Sequence, residues 1–442
     1  MERLNREQRR AGARPGVSLL LLLPVLLAGR AEAQGVRPPP QEAAGLPSAA
    51  PEALGFSPER LERLTRTFNG YVAEEELPGA VILVARHGKV AYLEAFGMLD
   101  RERALPMPTD AVFRIASQTK ALVSVAVMML QEEGKLLLSD PVGKYLPEFG
   151  STAVAVPREG GYDVVPARRP ITLRDLLTHT AGIGYGSGVA MDRWEAAGIQ
   201  GWYFAHRDEP VAATVARMAA LPFDAHPGEA FVYGYGTDIL GVVVEVVGGL
   251  PLDEFLRRRI LEPLGMKDTH FFLPPEKRER LATVYGRTDP PVLRRGPEGG
   301  GTQGQGDYVE GPRMSFSGGA GLLSTAQDYA RFLQMLLNGG ELDGVRILSH
   351  KSVELMTADH VGSRYSTPGV GFGLGFQITK DLGARGHLGS VKEYGWGGAY
   401  HSTYWVDPSE ELVVVYFTQL IPATGVDDHG KLRALVYQAL ER

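Results

Sequence analysis

Apolar and polar positions follow two different rhythms along this chain. Near the start, Ala80-Val81-Ile82-Leu83-Val84-Ala85 and Val90-Ala91-Tyr92-Leu93-Glu94 flank His87-Gly88, which predicts two strands joined by a tight turn. Near the end, His401 to Val406 and Leu412 to Phe417 flank Asp407-Pro408 in the same way. Between these β-rich ends the apolar positions take helical spacing, as in Leu173 to Leu177, Pro210 to Ala220, Thr237 to Val247 and Ser324 to Leu337. Ser57-Pro58-Glu59-Arg60 reads as a cap with proline at the first helical position, followed by Leu61, Leu64 and Phe68 on one face. A closing helix is expected from about Gly430 to Leu440, and the glycine-, proline- and charge-rich stretch 274–313 reads as a long surface loop. The simplest architecture is an α/β sandwich. Its mainly antiparallel sheet, flanked by helices, comes from 54–115 and 314–442, and 116–313 is an inserted, mostly helical domain.

The N-terminus differs in character from the rest. Arg3, Arg6, Arg9, Arg10 and Arg14 precede the apolar run Leu19 to Leu27 and then Ala31-Glu32-Ala33. That order of basic start, short apolar middle and small-residue site predicts a secretory signal over 1–33, with cleavage near Ala33 and a periplasmic or secreted product. Residues 34–53, with Pro38-Pro39-Pro40, Pro47 and Pro51, read as a flexible leader. Losing six arginines and three glutamates with the signal takes the formal charge from −6 to −9, which disfavours nucleic acid or an anionic membrane as partner. The chain has no cysteine, which excludes thiol chemistry and disulfides. Its ten histidines are scattered without ligand spacing, so neither a metal nor any other cofactor is expected.

Candidate chemistry begins at Ser117-Gln118-Thr119-Lys120, at the start of the apolar helix Ala121 to Leu130. Positions i and i+3 share a helix face, so Lys120 can reach back to the Ser117 hydroxyl. An amine held in apolar surroundings near a helix N-terminus is expected to lose its proton readily and to help activate Ser117. The Ser117 N–H lies among first-turn donors that stabilise developing negative charge. Chance alone supplies such a spacing about once in a chain this long, so the pattern needs company. Two further clusters offer it. Tyr233-Gly234-Tyr235 supplies phenols that can relay protons, or that simply sit at the edge of a core. Trp396-Gly397-Gly398-Ala399, just before a strand, offers a backbone N–H that can join that of Ser117 as an oxyanion hole, or is a glycine-rich bulge.

With Ile171-Thr172-Leu173-Arg174-Asp175-Leu176-Leu177-Thr178-His179-Thr180-Ala181-Gly182 and Gly318-Gly319-Ala320-Gly321, these clusters occur in the order found in one family. Over residues 54–440 the chain resembles the serine β-lactamase and penicillin-binding-protein superfamily, nearest to class C β-lactamases and family VIII carboxylesterases. The resemblance implies that Ser117 is acylated, that Lys120 activates it, and that Tyr233 passes its proton. It also implies that Ser117 and Ala399 supply the oxyanion hole. Tyr185 would line the acyl pocket, and Tyr235, Trp396, Gly397 and Gly398 would contact substrate. Members acting on β-lactams or peptides usually carry Tyr-x-Asn and Lys-Thr-Gly or His-Thr-Gly. Here Tyr235 replaces the asparagine, and Trp396 replaces the cation that would meet a substrate carboxylate. No Gly-x-Ser-x-Gly elbow is present. The expectation is therefore an exported serine hydrolase cleaving small uncharged carboxylic esters. The alternatives are a β-lactamase, a D-amino-acid-specific peptidase or amidase, and a non-catalytic envelope binding protein. Oligomeric state is left open.

Overall fold

Both expected hairpins lie in one eight-stranded sheet of the computed structural model, which describes residues 45–441. The predicted signal segment and the leader as far as residue 44 fall outside the described residues. The strands are β1 (Gly79–Arg86), β2 (Lys89–Asp100), β3 (Leu105–Pro106), β4 (Val370–Phe372), β5 (Gln377–Thr379), β6 (Tyr394–Gly397), β7 (Thr403–Asp407) and β8 (Leu412–Thr418). Their spatial order is β4-β5-β6-β7-β8-β1-β2-β3, with antiparallel neighbours throughout. The two ends of the chain meet at the centre, where β1 pairs with β8 in the register Ala80↔Thr418 and Leu83↔Val415.

The unbroken apolar runs of β1 and β8 are explained by cover on both faces. Val81, Leu83, Val415 and Phe417 point into the large core, whereas Ala80, Ile82, Val84, Val414 and Tyr416 point into a second one. That second core is roofed by α1 (Pro58–Ala73), through Leu61, Leu64 and Phe68, and by the closing helix through Leu432 and Val436. On the other face lie α2 (Thr119–Glu132), α3 (Gly236–Gly248) and α4 (Ala326–Leu337), and the closing helix is α5 (Asp428–Gln438). Helix α2 is buried on every side from Thr119 to Leu130, as its all-round apolar sequence requires. Full burial of one such valine or leucine is worth about 1.5–3 kcal/mol, so α2 is a firmly held base for the site.

Several expected boundaries shift. The fold begins before Leu54: Leu46 is buried, the Ala49 N–H donates to the Val90 carbonyl at 3.1 Å, and Pro51–Leu54 forms a turn of 3₁₀ helix. The segment 274–313 is not plain loop, because Tyr285–Thr288 and Val292–Arg295 form a hairpin whose first strand pairs in parallel with Leu420–Ala423. Ala153–Arg158 and Gly161–Pro166 form another hairpin inside the region expected to be helical. One apolar cluster contains residues of both expected domains, so the insertion and the sheet form a single body. Among the described residues no helix is long and apolar enough to cross a membrane.

Candidate active site

Ser117 is presented by a loop clamped from several directions. Phe113–Arg114 pairs with Leu323–Ser324, and the Gln419 amide takes the Arg114 N–H and donates to the Arg114 carbonyl, both at 3.1 Å. The buried Arg114 guanidinium ties the loop to the carbonyls of Ala282 (2.6 Å) and Gln305 (2.8 Å). Ala116 then takes a left-handed backbone, φ 43°, which an alanine adopts only when its surroundings dictate it. Ser117 therefore lies in a 3₁₀ turn, Ala116–Gln118, immediately before α2 rather than in its first turn. The turn is fixed from α4, where the Tyr329 hydroxyl donates to the Gln118 carbonyl at 2.9 Å, and by the Leu322 N–H donating to Thr119 Oγ1 at 3.0 Å.

Lys120, second in α2, is buried with Nζ aimed back at the serine. It donates to Ser117 Oγ at 3.2 Å, to the Tyr185 hydroxyl at 3.0 Å and to the Gly319 carbonyl at 2.7 Å, so every ammonium proton has an acceptor. Burial alone would push its pKa down. Tyr185, Tyr233 and the buried Asp238 carboxylate outweigh that and raise it. These neighbours favour the ammonium form, opposite in direction to the expected easily deprotonated amine. Asp238, on α3, accepts from the Ser317 hydroxyl at 2.6 Å and from the Gly319 N–H at 3.0 Å, so it grips the peptide whose carbonyl holds Lys120. Burial pushes the Asp238 carboxyl up, while Lys120, Ser317 and Gly319 pull it back. A Cβ on Gly319 would lie 2.3 Å from the Asp238 carboxylate, which is why glycine stands there. The one acidic residue early in the otherwise apolar run Thr237 to Val244 was the sequence signal for this group.

Tyr233 faces Lys120, with Nζ 4.7 Å from its ring centre, and its hydroxyl oxygen accepts the Trp396 indole N–H at 3.0 Å. The indole is therefore a hydrogen-bond donor to the phenol as well as an apolar wall. Tyr185 stands edge-on to Tyr233, ring centres 5.8 Å apart. Tyr235 does not contact the cleft, contrary to expectation. It is fully buried, stacks on Trp194, meets Tyr185 edge-on at 4.9 Å, and donates to the Gly201 carbonyl at 2.7 Å. It supports Tyr185 from behind. On the opposite side, a Cβ on Gly398 would fall 2.6 Å from the Ile115 carbonyl oxygen, so glycine lets the end of β6 press against the serine loop.

Ser117, Tyr185, Tyr233, Trp396, Gly397, Gly398 and Ala399 line one open cleft of about 460 Å³, with Lys120 buried beneath it. Trp202 lines the same cleft, as do His429 and Arg433 from α5, and the sequence pattern pointed to none of them. Nothing local to these residues marks them, because they come from distant parts of the chain. His179 packs edge-on between Phe231 and Phe372 and tilts against Tyr233. Burial and the Lys120 charge keep its imidazole well below the usual range, so it is neutral. Among the described residues, His401, Asp428 and His429 bring donor atoms within 4.8 Å of one another. The two rings, however, stack 4.1 Å apart and only 17° from parallel. Lone pairs lying in nearly parallel planes do not converge on one ion, and the group is a hydrogen-bonded cluster rather than a chelate.

Known proteins resemble this chain over most of its length. The beta-lactamase family model matches residues 64–438. Esterase EstB of Burkholderia gladioli is 34% identical over 376 residues, covering 80% of this chain and 89% of its own. The lovastatin esterase of Penicillium rubens is 30% identical over 392 residues, covering 81% and 93%. Among solved structures, EstCE1, described as a hydrolase with promiscuous acyltransferase activity, superposes with a TM-score of 0.75 at 29% identity, covering 86% of this chain and 99% of its own. These likenesses span most of the chain, and the chain belongs to the beta-lactamase family as a serine hydrolase.

Proposed function

We propose that the enzyme cleaves small, uncharged carboxylic esters through an acyl group carried on Ser117. The observation that carries this reading is Trp396. At the cleft edge its indole stands where a cation would attract a substrate carboxylate, and its N–H is committed to Tyr233. Ser117 Oγ attacks the ester carbonyl, and its proton passes to the Tyr233 oxygen, which reacts as a phenolate beside the Lys120 ammonium. The oxyanion is received by the N–H groups of Ser117 and Ala399. The C–O bond to the alcohol breaks, and the alcohol leaves with the proton from Tyr233. Water then attacks the acyl group, gives its proton to the same oxygen, and frees Ser117 and the acid. Lys120 keeps a positive charge beside the serine oxygen throughout, which lowers the cost of the charge that builds there. The likeness to two esterases, EstB and the lovastatin esterase, supports ester substrates.

The test is a panel of p-nitrophenyl esters, anilides and a chromogenic cephalosporin, assayed on the wild type beside Ser117→Ala. Ester turnover that vanishes with Ser117 is the expected result. Cephalosporin turnover at rates comparable with p-nitrophenyl butyrate would replace the ester preference with a β-lactamase reading. Export belongs to the same proposal and is checked by N-terminal sequencing of the secreted protein, expected to begin at Gln34.

A further inference from the structure

The turn carrying Ala399 ends on a residue held in an unusual way. The His401 N–H donates to the Gly398 carbonyl at 3.1 Å, and the Gly398 N–H donates to the Ser402 carbonyl at 2.8 Å, which closes the turn. His401 itself has φ 64°, a left-handed backbone that is uncommon outside glycine, although histidine is among the side chains enriched there. Three contacts compensate, and all come from the start of α5. The His401 imidazole Nε2 donates to Asp428 Oδ1 at 2.7 Å, and the ring lies flat on that of His429. His429 Nε2 in turn donates to the His401 carbonyl at 2.9 Å. Asp428 is fully buried and fixed by the Tyr416 hydroxyl at 2.5 Å and by the His429 N–H at 2.9 Å. Both the side chain and the backbone of His401 are therefore gripped by one rigid helix end, while the opposite end of the turn presses on Ile115 beside Ser117.

We propose that His401, clamped by Asp428 and His429, is a positioning residue that holds the Ala399 N–H in the oxyanion hole. The proposal rests on the esterase reading above. An oxyanion donor acts mainly in the transition state, so loosening the turn lowers kcat and leaves KM nearly unchanged. His401→Gly keeps access to the left-handed backbone and removes the clamp. His401→Gln places an amide N–H near the position of Nε2 but is less comfortable with that backbone than glycine, so any rescue comes from the contact with Asp428.

The experiment measures kcat and KM for p-nitrophenyl butyrate, with thermal midpoints to verify folding. Removing an oxyanion donor outright costs about 10²–10³ in kcat, and a displaced one less. The expected result is a loss of roughly tenfold in kcat for His401→Gly at a KM within about twofold, with most of it restored by His401→Gln. His429→Phe, which keeps the stack and drops the bond to the carbonyl, shows a smaller loss of the same kind and serves if the glycine variant does not fold. An unchanged kcat in a folded His401→Gly variant, or a loss that His401→Gln does not repair, overturns the clamp alone. Absence of ester turnover and of any adduct on Ser117 in the wild type overturns the esterase reading and the clamp with it.

Discussion

Replacing Trp396 by phenylalanine isolates one hydrogen bond at the centre of the proposed proton relay. Phenylalanine keeps an aromatic ring against Tyr233, whose centre lies 5.4 Å from that of the indole, and against Phe372 at 5.2 Å. It deletes the N–H that reaches the Tyr233 oxygen at 3.0 Å. A neutral hydrogen bond contributes a net of about 0.5–1.5 kcal/mol, and one to a charged group about 1.5–3 kcal/mol. At about 1.4 kcal/mol per factor of ten, the two cases predict losses in kcat of about 2- to 12-fold and about 12- to 150-fold. Because the relay passes protons through the Tyr233 oxygen, the larger range is expected, with KM within about twofold since an apolar wall remains. The assay is steady-state hydrolysis of p-nitrophenyl butyrate by the wild type, Trp396→Phe, Tyr233→Phe and the double variant. If the indole acts through Tyr233, Trp396→Phe has no further effect once the phenol is gone. An equal loss in both backgrounds would refute the coupling, and an unchanged kcat would show that the bond serves packing only.

Two other perturbations follow from the charges around the site and the fold. Asp238→Asn preserves shape but removes the carboxylate that helps keep Lys120 charged, so the alkaline limb of the pH–rate profile moves to lower pH; a limb in its original place would contradict that role. Its bonds to Ser317 and Gly319 also weaken, which costs about 1–3 kcal/mol in denaturant unfolding. His270 is held down to about 4 by burial and by Lys277, whose ammonium donates to its Nε2 at 3.0 Å. Its folded pKa lies below its unfolded one, so it contributes stability that is complete above about pH 6.5 and is lost as the pH falls toward 4. The loss is at most about 3 kcal/mol over that window, and His270→Gln, which accepts the same bond without titrating, should flatten it in urea titrations at pH 7, 5.5 and 4.5.

What could be read from the sequence, and what could not, divides along physical lines. The helix Leu173–Leu177 lies where its spacing placed it, because Thr172 and Asp175 close a local capping box. The central strands were legible because burial on both faces makes them continuously apolar. Ser117 and Lys120 were legible because three positions separate them, which lets the amine reach back to the hydroxyl at 3.2 Å even across a 3₁₀ turn. The hairpin at 285–295 was not, because its partner Leu420–Ala423 lies more than a hundred residues away and local composition says only loop. Local sequence does not distinguish Tyr235 from a cleft residue, because Trp194, on which it stacks, is brought to it only by the fold. The surroundings of Lys120 are hidden for the same reason: spacing locates the amine, but Asp238 and the Gly319 carbonyl reach it only through tertiary structure.

The most direct test of the central claim is intact-protein and peptide mass spectrometry after a fluorophosphonate is added to the folded enzyme. One adduct per chain on the peptide containing Ser117, absent from Ser117→Ala together with ester turnover, is the result expected. An adduct on another residue, or a Ser117→Ala variant that still hydrolyses p-nitrophenyl butyrate at the wild-type rate, would contradict it.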